Sequence, residues 1–488
     1  MNVIAIIDTN DFIQVIKNSI SEIGILHCTI VKCRNQNIQL DISAEYYDVD
    51  KVKSNIFDLG NSPSIDRAIL ESLYECETVC LRMFVRFGID NYEDAKSLYL
   101  KHVCFWNNVI EKNNINMFIS DSIPHLGFDY IIYSLCKIKK IPTVMFYRIP
   151  TLPQKVTSKY ILTDITKPGI EAYRKYLELE KTIEQKDENS LELPAFAVAY
   201  IEAHHRKGRP KVFLKEENPA PIKRLSKKQL VIYRARKLFR YLITVNVKQI
   251  FKKLKDIKQN KQDNKYYANL MRETHERYDS LMIQPNLNCR YIYFALHMQP
   301  ECTTSPMAGV FVEQQMIVHM LSCSVPNDVK IYIKEHPRKD VIRHIDFYNQ
   351  ISKMKNVYLV DKAFSSFELM EHSIAVATAT GTVGWEALLR GIPVIMFGYY
   401  FYQYAPGVFH INSMDDLKTA IHEIIENKFV PDIFKIKLFF KALEGIVIEG
   451  YANERYKTVS NITAEENINR TTQALVRKIR EMTKVQEM

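Results

Sequence analysis

Short apolar runs alternate with amphipathic stretches in both the first and the last third of the chain, and this rhythm predicts a parallel α/β architecture. The chain opens on an apolar strand, Val3 to Ile7, followed by the polar turn Asp8-Thr9-Asn10, an amphipathic helix and a strand around Ile25 to Val31. Helices are expected over Arg67 to Arg86 and Tyr92 to Glu111. A second unit then reads as strand Asn116 to Ser120, turn Asp121 to His125, helix Gly127 to Lys139 and strand Pro142 to Tyr147. This half lacks a GxGxxG turn, so a dinucleotide is not expected there.

From Pro150 to Asn288 the strand signals thin out, and Ile170 to Lys186 and Ser226 to Asp279 read as helical. The rhythm resumes at Tyr291, with strands expected at Tyr291 to Leu296, Val329 to Ile333, Val357 to Val360, Ile374 to Ala379 and Val394 to Phe397. Helices are expected between them, the one after the fourth strand over Trp385 to Arg390, and near Met414 to Glu426, Pro431 to Leu443 and Thr463 to Thr483. The expected division is therefore 1–150, a Rossmann-like domain; 151–288, a helical basic insert; 289–450, a second Rossmann-like domain; and 451–488, a helical tail. Two doubly wound parallel sheets facing a cleft make that cleft the first place to look for a ligand.

Charge changes the picture locally. The chain of 488 residues carries a formal net charge of +10, yet residues 206–265 alone hold 20 Lys/Arg against four acids. The remainder is therefore net acidic, at −6. Apolar residues interleaved with these cations suit an anionic membrane surface. Nucleic acid is disfavoured as a partner, because zinc-ligand spacing, RNP-like motifs and a helix-turn-helix are all missing. The nine cysteines are scattered and lack paired CxxC spacing, which argues against a zinc site or a disulfide framework. The N-terminus has no basic n-region and no apolar run is long enough to span a bilayer, so a cytoplasmic location, peripheral at most, is expected.

Three turns at strand ends in the second half hold the chemically capable residues. The first, His297 to Pro306, contains Gln299, Glu301, Thr303 and Thr304. The second is Lys334-Glu335-His336-Pro337-Arg338, where period-2 alternation places Lys334 and His336 on one side, suited to a phosphate. The third contains Thr380, Gly381, Thr382 and Gly384 and leads into a helix, with Glu386 expected in its first turn. In a doubly wound sheet such turns converge on one crevice. Glu301, in a polar loop, is a candidate general base or substrate hydrogen-bonder. Glu386 is a candidate to accept both ribose hydroxyls, and His125, on a turn of the first half, is a candidate acceptor-side or catalytic group.

The series Gln299-Pro-Glu301, Thr303-Thr-Ser-Pro306, Gly309, Lys334-Glu-His-Pro337, Gly381-Thr-Val-Gly-Trp-Glu-Ala387, Gly391-Ile-Pro-Val394 and Phe397-Gly398 resembles the bacterial capsule polysaccharide biosynthesis glycosyltransferases. That family is Kdo-transferase-like and of the two-Rossmann GT-B class, and the resemblance covers Tyr291 to Gly407. Ile123-Pro-His125 and Pro142-Thr-Val144 resemble its N-terminal half more weakly. The resemblance implies that His336-Pro337 touches a donor phosphate, that Thr380 and Thr382 hold it from the other side, and that Glu386 holds the ribose. It also implies a metal-independent enzyme with a nucleotide-sugar co-substrate and no other cofactor. The expected activity is sugar transfer from a CMP- or UDP-linked donor to a capsule, surface-polysaccharide or lipid-linked acceptor. Two alternatives stay open: a CDP-alditol-dependent polymer phosphotransferase, and a non-catalytic nucleotide- or glycan-binding assembly factor.

Overall fold

In a computed structural model of the protein the described residues are 1–32, 40–48, 65–89, 91–149, 159–183, 191, 198, 269–299, 301–337, 343–344, 346–451 and 462–487. The basic stretch 206–265 lies outside them. The first sheet contains β1 (Asn2–Ile7), β2 (His27–Lys32), β3 (Ser43–Asp48), β4 (Met117–Ser120), β5 (Thr143–Ile149) and β6 (Lys159–Thr163). The second contains β7 (Tyr291–Ala295), β8 (Lys330–Lys334), β9 (Val357–Leu359), β10 (Ala375–Thr378), β11 (Val394–Met396) and β12 (Val408–His410), after which β13 (Ile448–Glu449) rejoins the first sheet.

The second sheet runs β12-β11-β10-β7-β8-β9, every pair parallel. Counted from its own first strand this is the doubly wound order, which reverses between β7 and β10. The first sheet runs β13-β6-β5-β4-β1-β2-β3 and reverses between β1 and β4. Its β1 to β5 are parallel, while β6 is antiparallel to β5 and β13 to β6.

Strands buried on both faces must be apolar on both faces, which explains runs such as NVIAII and YIYFA. Alternate residues of each strand feed different cores. Ile4 and Ile6 pack on one side of β1, and Val3, Ala5 and Ile7 on the other. Tyr291 and Tyr293 likewise face away from Ile292 and Phe294. The Tyr291 face belongs to a core that also takes Tyr147, Ile149, Ile161 and Tyr176 from the first domain, so the two sheets are joined by shared apolar packing.

The expected domain boundaries need correction. Residues past 150 continue the first sheet as β6, and the helix Ile170–Thr182 that follows packs on Ile433–Glu444. The chain then returns: β13 pairs with β6, and the long helix Ala464–Glu487 lies on Asn10–Ile23, so the tail belongs to the first domain. The strands β3, β6, β12 and β13 were not expected. The helix after β10 spans Thr382–Leu388 rather than starting at Trp385, which moves Gly384 into the helix and Glu386 out of its first turn.

Candidate functional site

The carboxyl ends of β7, β8 and β10 bring the three turns together around a cleft of about 560 Å³. It lies where the strand order reverses, the position at which open α/β sheets bind ligands. Its lining residues all come from the second domain, and the first domain reaches its edge where the Tyr147 ring meets that of Tyr400, 6.1 Å away.

Of the residues singled out in the sequence, Glu301, Thr303, Lys334, His336, Thr380, Gly381, Thr382 and Glu386 line this cleft. Gln299, Thr304 and His125 do not. The Gln299 amide donates to the Val312 carbonyl at 2.7 Å while its oxygen accepts from Gln314 at 3.2 Å, so both ends are spent inside the loop. Thr304 is wholly buried, its hydroxyl donating to the Glu301 carbonyl at 2.9 Å, which closes the turn. The His125 ring places Nδ1 2.6 Å from the Ile123 carbonyl, and the His125 carbonyl accepts from Arg86. Arg86 also donates to the Ser305 carbonyl at 3.1 Å, so it bridges the first domain to the first turn of the second.

Lys334 faces the cleft, but its ammonium donates to the Phe364 carbonyl at 2.6 Å and to Ser366 Oγ at 2.8 Å. It thereby fastens the loop after β9 and is not simply a cation offered to a ligand. Thr303 Oγ1 donates to Glu301 Oε2 at 2.9 Å, orienting that carboxylate at the mouth. The Thr380 hydroxyl donates to the Thr303 carbonyl, which locks the first turn to the third.

Beneath the cleft lies a polar layer not foreseen in the sequence. Arg343 donates to the Glu335 carboxylate through both Nε and Nη2, and Tyr348 donates its hydroxyl to the same group. Glu335 Oε1 in turn accepts the His336 N–H at 2.7 Å. Burial pushes the Glu335 carboxyl upward, but the charge and hydrogen bonds of Arg343, with Tyr348, outweigh it and hold it below the usual carboxylate range. His297 Nε2 accepts the Thr380 N–H at 3.1 Å, while Thr378 Oγ1 lies 3.2 Å from the same nitrogen and accepts the Gly381 N–H at 2.8 Å. Burial, reinforced by the neighbouring His336 and Arg343, pushes the His297 imidazole down to about 3, so the ring is neutral with its proton on Nδ1. Tyr402 closes the third turn by donating to the Gly381 carbonyl. Nothing in the spacing of Arg343, Tyr348 or Tyr402 announces these contacts.

The first sheet has a related device at its own reversal point. Asp121, following β4, accepts the N–H groups of Asp8 at 2.7 Å and Thr9 at 3.0 Å, both following β1. Its burial raises the carboxyl to about 7, against the lowering effect of those bonds. Among the described residues no group of three or more His, Cys, Asp or Glu side chains is placed to hold a metal ion, and no helix is long and apolar enough to cross a membrane.

Two Rossmann-like domains, a ligand-sized cleft at the strand ends of the second, and a chain that returns to the first domain define the GT-B architecture. The model of a family described as capsule polysaccharide biosynthesis protein matches residues 304–429 of the chain. No curated protein matches the chain. Among solved structures it is similar to the beta Kdo 2,7 transferase KpsC of Thermosulfurimonas dismutans, at 11% identity and a TM-score of 0.30, covering 97% of this chain and 99% of that one. It is similar to a glycosyltransferase from Rickettsia africae at 11% identity and a TM-score of 0.27, covering 97% and 98%. It is also similar to a UDP-GlcNAc 2-epimerase from Neisseria meningitidis at 12% identity and a TM-score of 0.22, covering 99% and 100%. The fold assignment rests on the strand orders themselves.

Proposed function

We propose that the protein is a glycosyltransferase that moves a sugar from a CMP- or UDP-linked donor to a capsule, surface-polysaccharide or lipid-linked glycan acceptor. The observation that carries this reading is the convergence of His336, Thr380, Thr382 and Glu386 on one cleft within the segment that matches the capsule family. In this reading His336 and the Thr382 hydroxyl hold the donor phosphate, Thr380, whose own hydroxyl is committed to the Thr303 carbonyl, fixes that wall of the site, and Glu386 accepts from the ribose hydroxyls. Glu301, steadied by Thr303, stands at the mouth as the general base that takes a proton from the acceptor hydroxyl. No metal is required in this scheme, because His336 and the turn supply the donors that a leaving phosphate needs.

Calorimetric titration of CMP and UDP, with His336→Ala as control, tests the donor site, and product analysis with nucleotide-sugar panels tests the reaction. Unchanged nucleotide binding in His336→Ala removes the phosphate role of that residue. A new phosphodiester in place of a glycosidic bond makes the protein a phosphotransferase instead. The basic stretch 206–265 is proposed to dock on anionic membrane at the cytoplasmic face, where a lipid-linked acceptor resides. Co-sedimentation with anionic and neutral vesicles checks this, and equal, salt-insensitive partitioning refutes it.

A further inference from the structure

We infer that His297 is a positioning residue for the phosphate end of the donor site, acting through the turns it joins rather than by touching the donor. The inference rests on the donor reading above and adds to it the residue that sets the geometry of the phosphate contacts. His297 is only 7% exposed, yet it is tied to all three turns. Its backbone belongs to the first turn, where its N–H donates to Gln314 Oε1 at 2.7 Å. Its carbonyl accepts from Arg343 Nη2 at 2.8 Å, and Arg343 holds Glu335, which holds the His336 N–H. Its ring nitrogen Nε2 accepts the Thr380 N–H. One residue therefore relates the two proposed phosphate-binding walls, His336 on one side and Thr380 to Thr382 on the other.

The ring is needed as an acceptor. A protonated imidazole would set an N–H against the Thr380 N–H, and an apolar ring would leave that N–H buried without a partner. The fit is close: a Cβ at Gly381 would lie 2.8 Å from Thr378 Oγ1 and 3.0 Å from His297 Nε2, so the turn is seated directly on this pair. Hydrogen-bonding groups that recognise a phosphate act at full strength only when held in place, so a shift of this turn should fall on phosphate affinity and not on the nucleoside.

The test uses the full chain with four probes, CMP and UDP against cytidine and uridine, titrated into wild type, His297→Phe, His297→Gln and Thr378→Val. In wild type the nucleotide binds more tightly than its nucleoside, and that ratio reads the phosphate contribution. Expected is a fall of about tenfold in the ratio for His297→Phe, the size of one or two misplaced hydrogen bonds, with nucleoside affinity unchanged. His297→Gln, which returns an acceptor near the Nε2 position, should recover most of it, and Thr378→Val, which removes one hydroxyl of the same cluster, should show a smaller fall. An unchanged ratio in a folded His297→Phe, or equal losses in the Phe and Gln variants, overturns the inference. If His297→Phe does not fold, an unchanged ratio in Thr378→Val together with a loss in His297→Gln overturns it. A wild type that binds nucleotide no better than nucleoside overturns the donor reading itself, a result distinct from the others.

Discussion

Arg343 grips Glu335 through two of its guanidinium nitrogens in a layer from which water is excluded, both side chains being at most 2% exposed. The pair is the floor on which His336 stands, since the same carboxylate accepts the His336 N–H. Removing one partner strands a buried charge, whereas removing both does not. Arg343→Ala is therefore expected to cost about 3–5 kcal/mol, and Arg343→Met combined with Glu335→Leu distinctly less. Urea unfolding of the three proteins measures this, and a loss below about 1 kcal/mol in the single variant would contradict it.

Asp121 predicts a pH effect of definite sign. Its folded value, raised by burial from 3.8 to about 7, means that the native state keeps a proton which the unfolded chain releases. Stability attributable to this group therefore falls as pH rises from about 4 to about 7 and levels off above, by up to about 4 kcal/mol. Asp121→Asn keeps an oxygen for the Asp8 and Thr9 N–H groups but cannot ionise. Its stability relative to wild type should rise across that window; parallel pH profiles of the two proteins would refute the assignment.

His297 adds an opposite slope. With a folded value near 3 it must be neutral in the native state, so the stability it supports is complete above about 6.5 and is lost as pH falls below. His102, lowered to about 4 by burial, acts in the same direction. His102→Gln should flatten the acid limb of the stability profile by about 1.4 kcal/mol per pH unit between pH 4 and 6, measured by chemical unfolding.

Gly384 sits inside the helix Thr382–Leu388, where alanine would ordinarily be favoured by about 1 kcal/mol. Here a Cβ would overlap the Tyr402 hydroxyl that closes the Gly381 turn, and would also meet Val394. Overpacking of this kind costs about 1–3 kcal/mol, so Gly384→Ala should lower the unfolding midpoint despite its helix propensity. A variant more stable than wild type would show that Tyr402 is not held in place.

Thr304 and Thr382 separate folding from binding. Thr304→Val should destabilise by about 1 kcal/mol through a lost buried hydroxyl bond and leave CMP and UDP affinity unchanged. Thr382→Val should do the reverse, weakening nucleotide binding about fivefold to tenfold at unchanged stability. Calorimetry and unfolding on both variants check the pair, and interchanged outcomes would reassign the turns.

Hydrophobic periodicity in the chain was sufficient for the two doubly wound sheets, because strands buried on both faces cannot avoid short continuous apolar runs. It was also sufficient for the convergence of the three turns on one cleft, since turns at strand carboxyl ends meet whenever the order reverses. It was insufficient for β3, whose SAEYYD reads as a polar edge, and for β13, which is two residues long and exists only because β6 offers it an antiparallel partner. Side-chain direction within the turns was beyond it as well. Gln299 and Thr304 occupy the right turn yet spend their polar groups on nearby carbonyls and on Gln314, while His297, two residues before Gln299 in the same turn, links that turn to the third directly and to the second through Arg343 and Glu335. Sequence spacing places a residue on an element. Which way its polar atoms point depends on partners such as Arg343 and Thr380, 46 and 83 residues from His297, that only the tertiary fold brings within hydrogen-bonding distance.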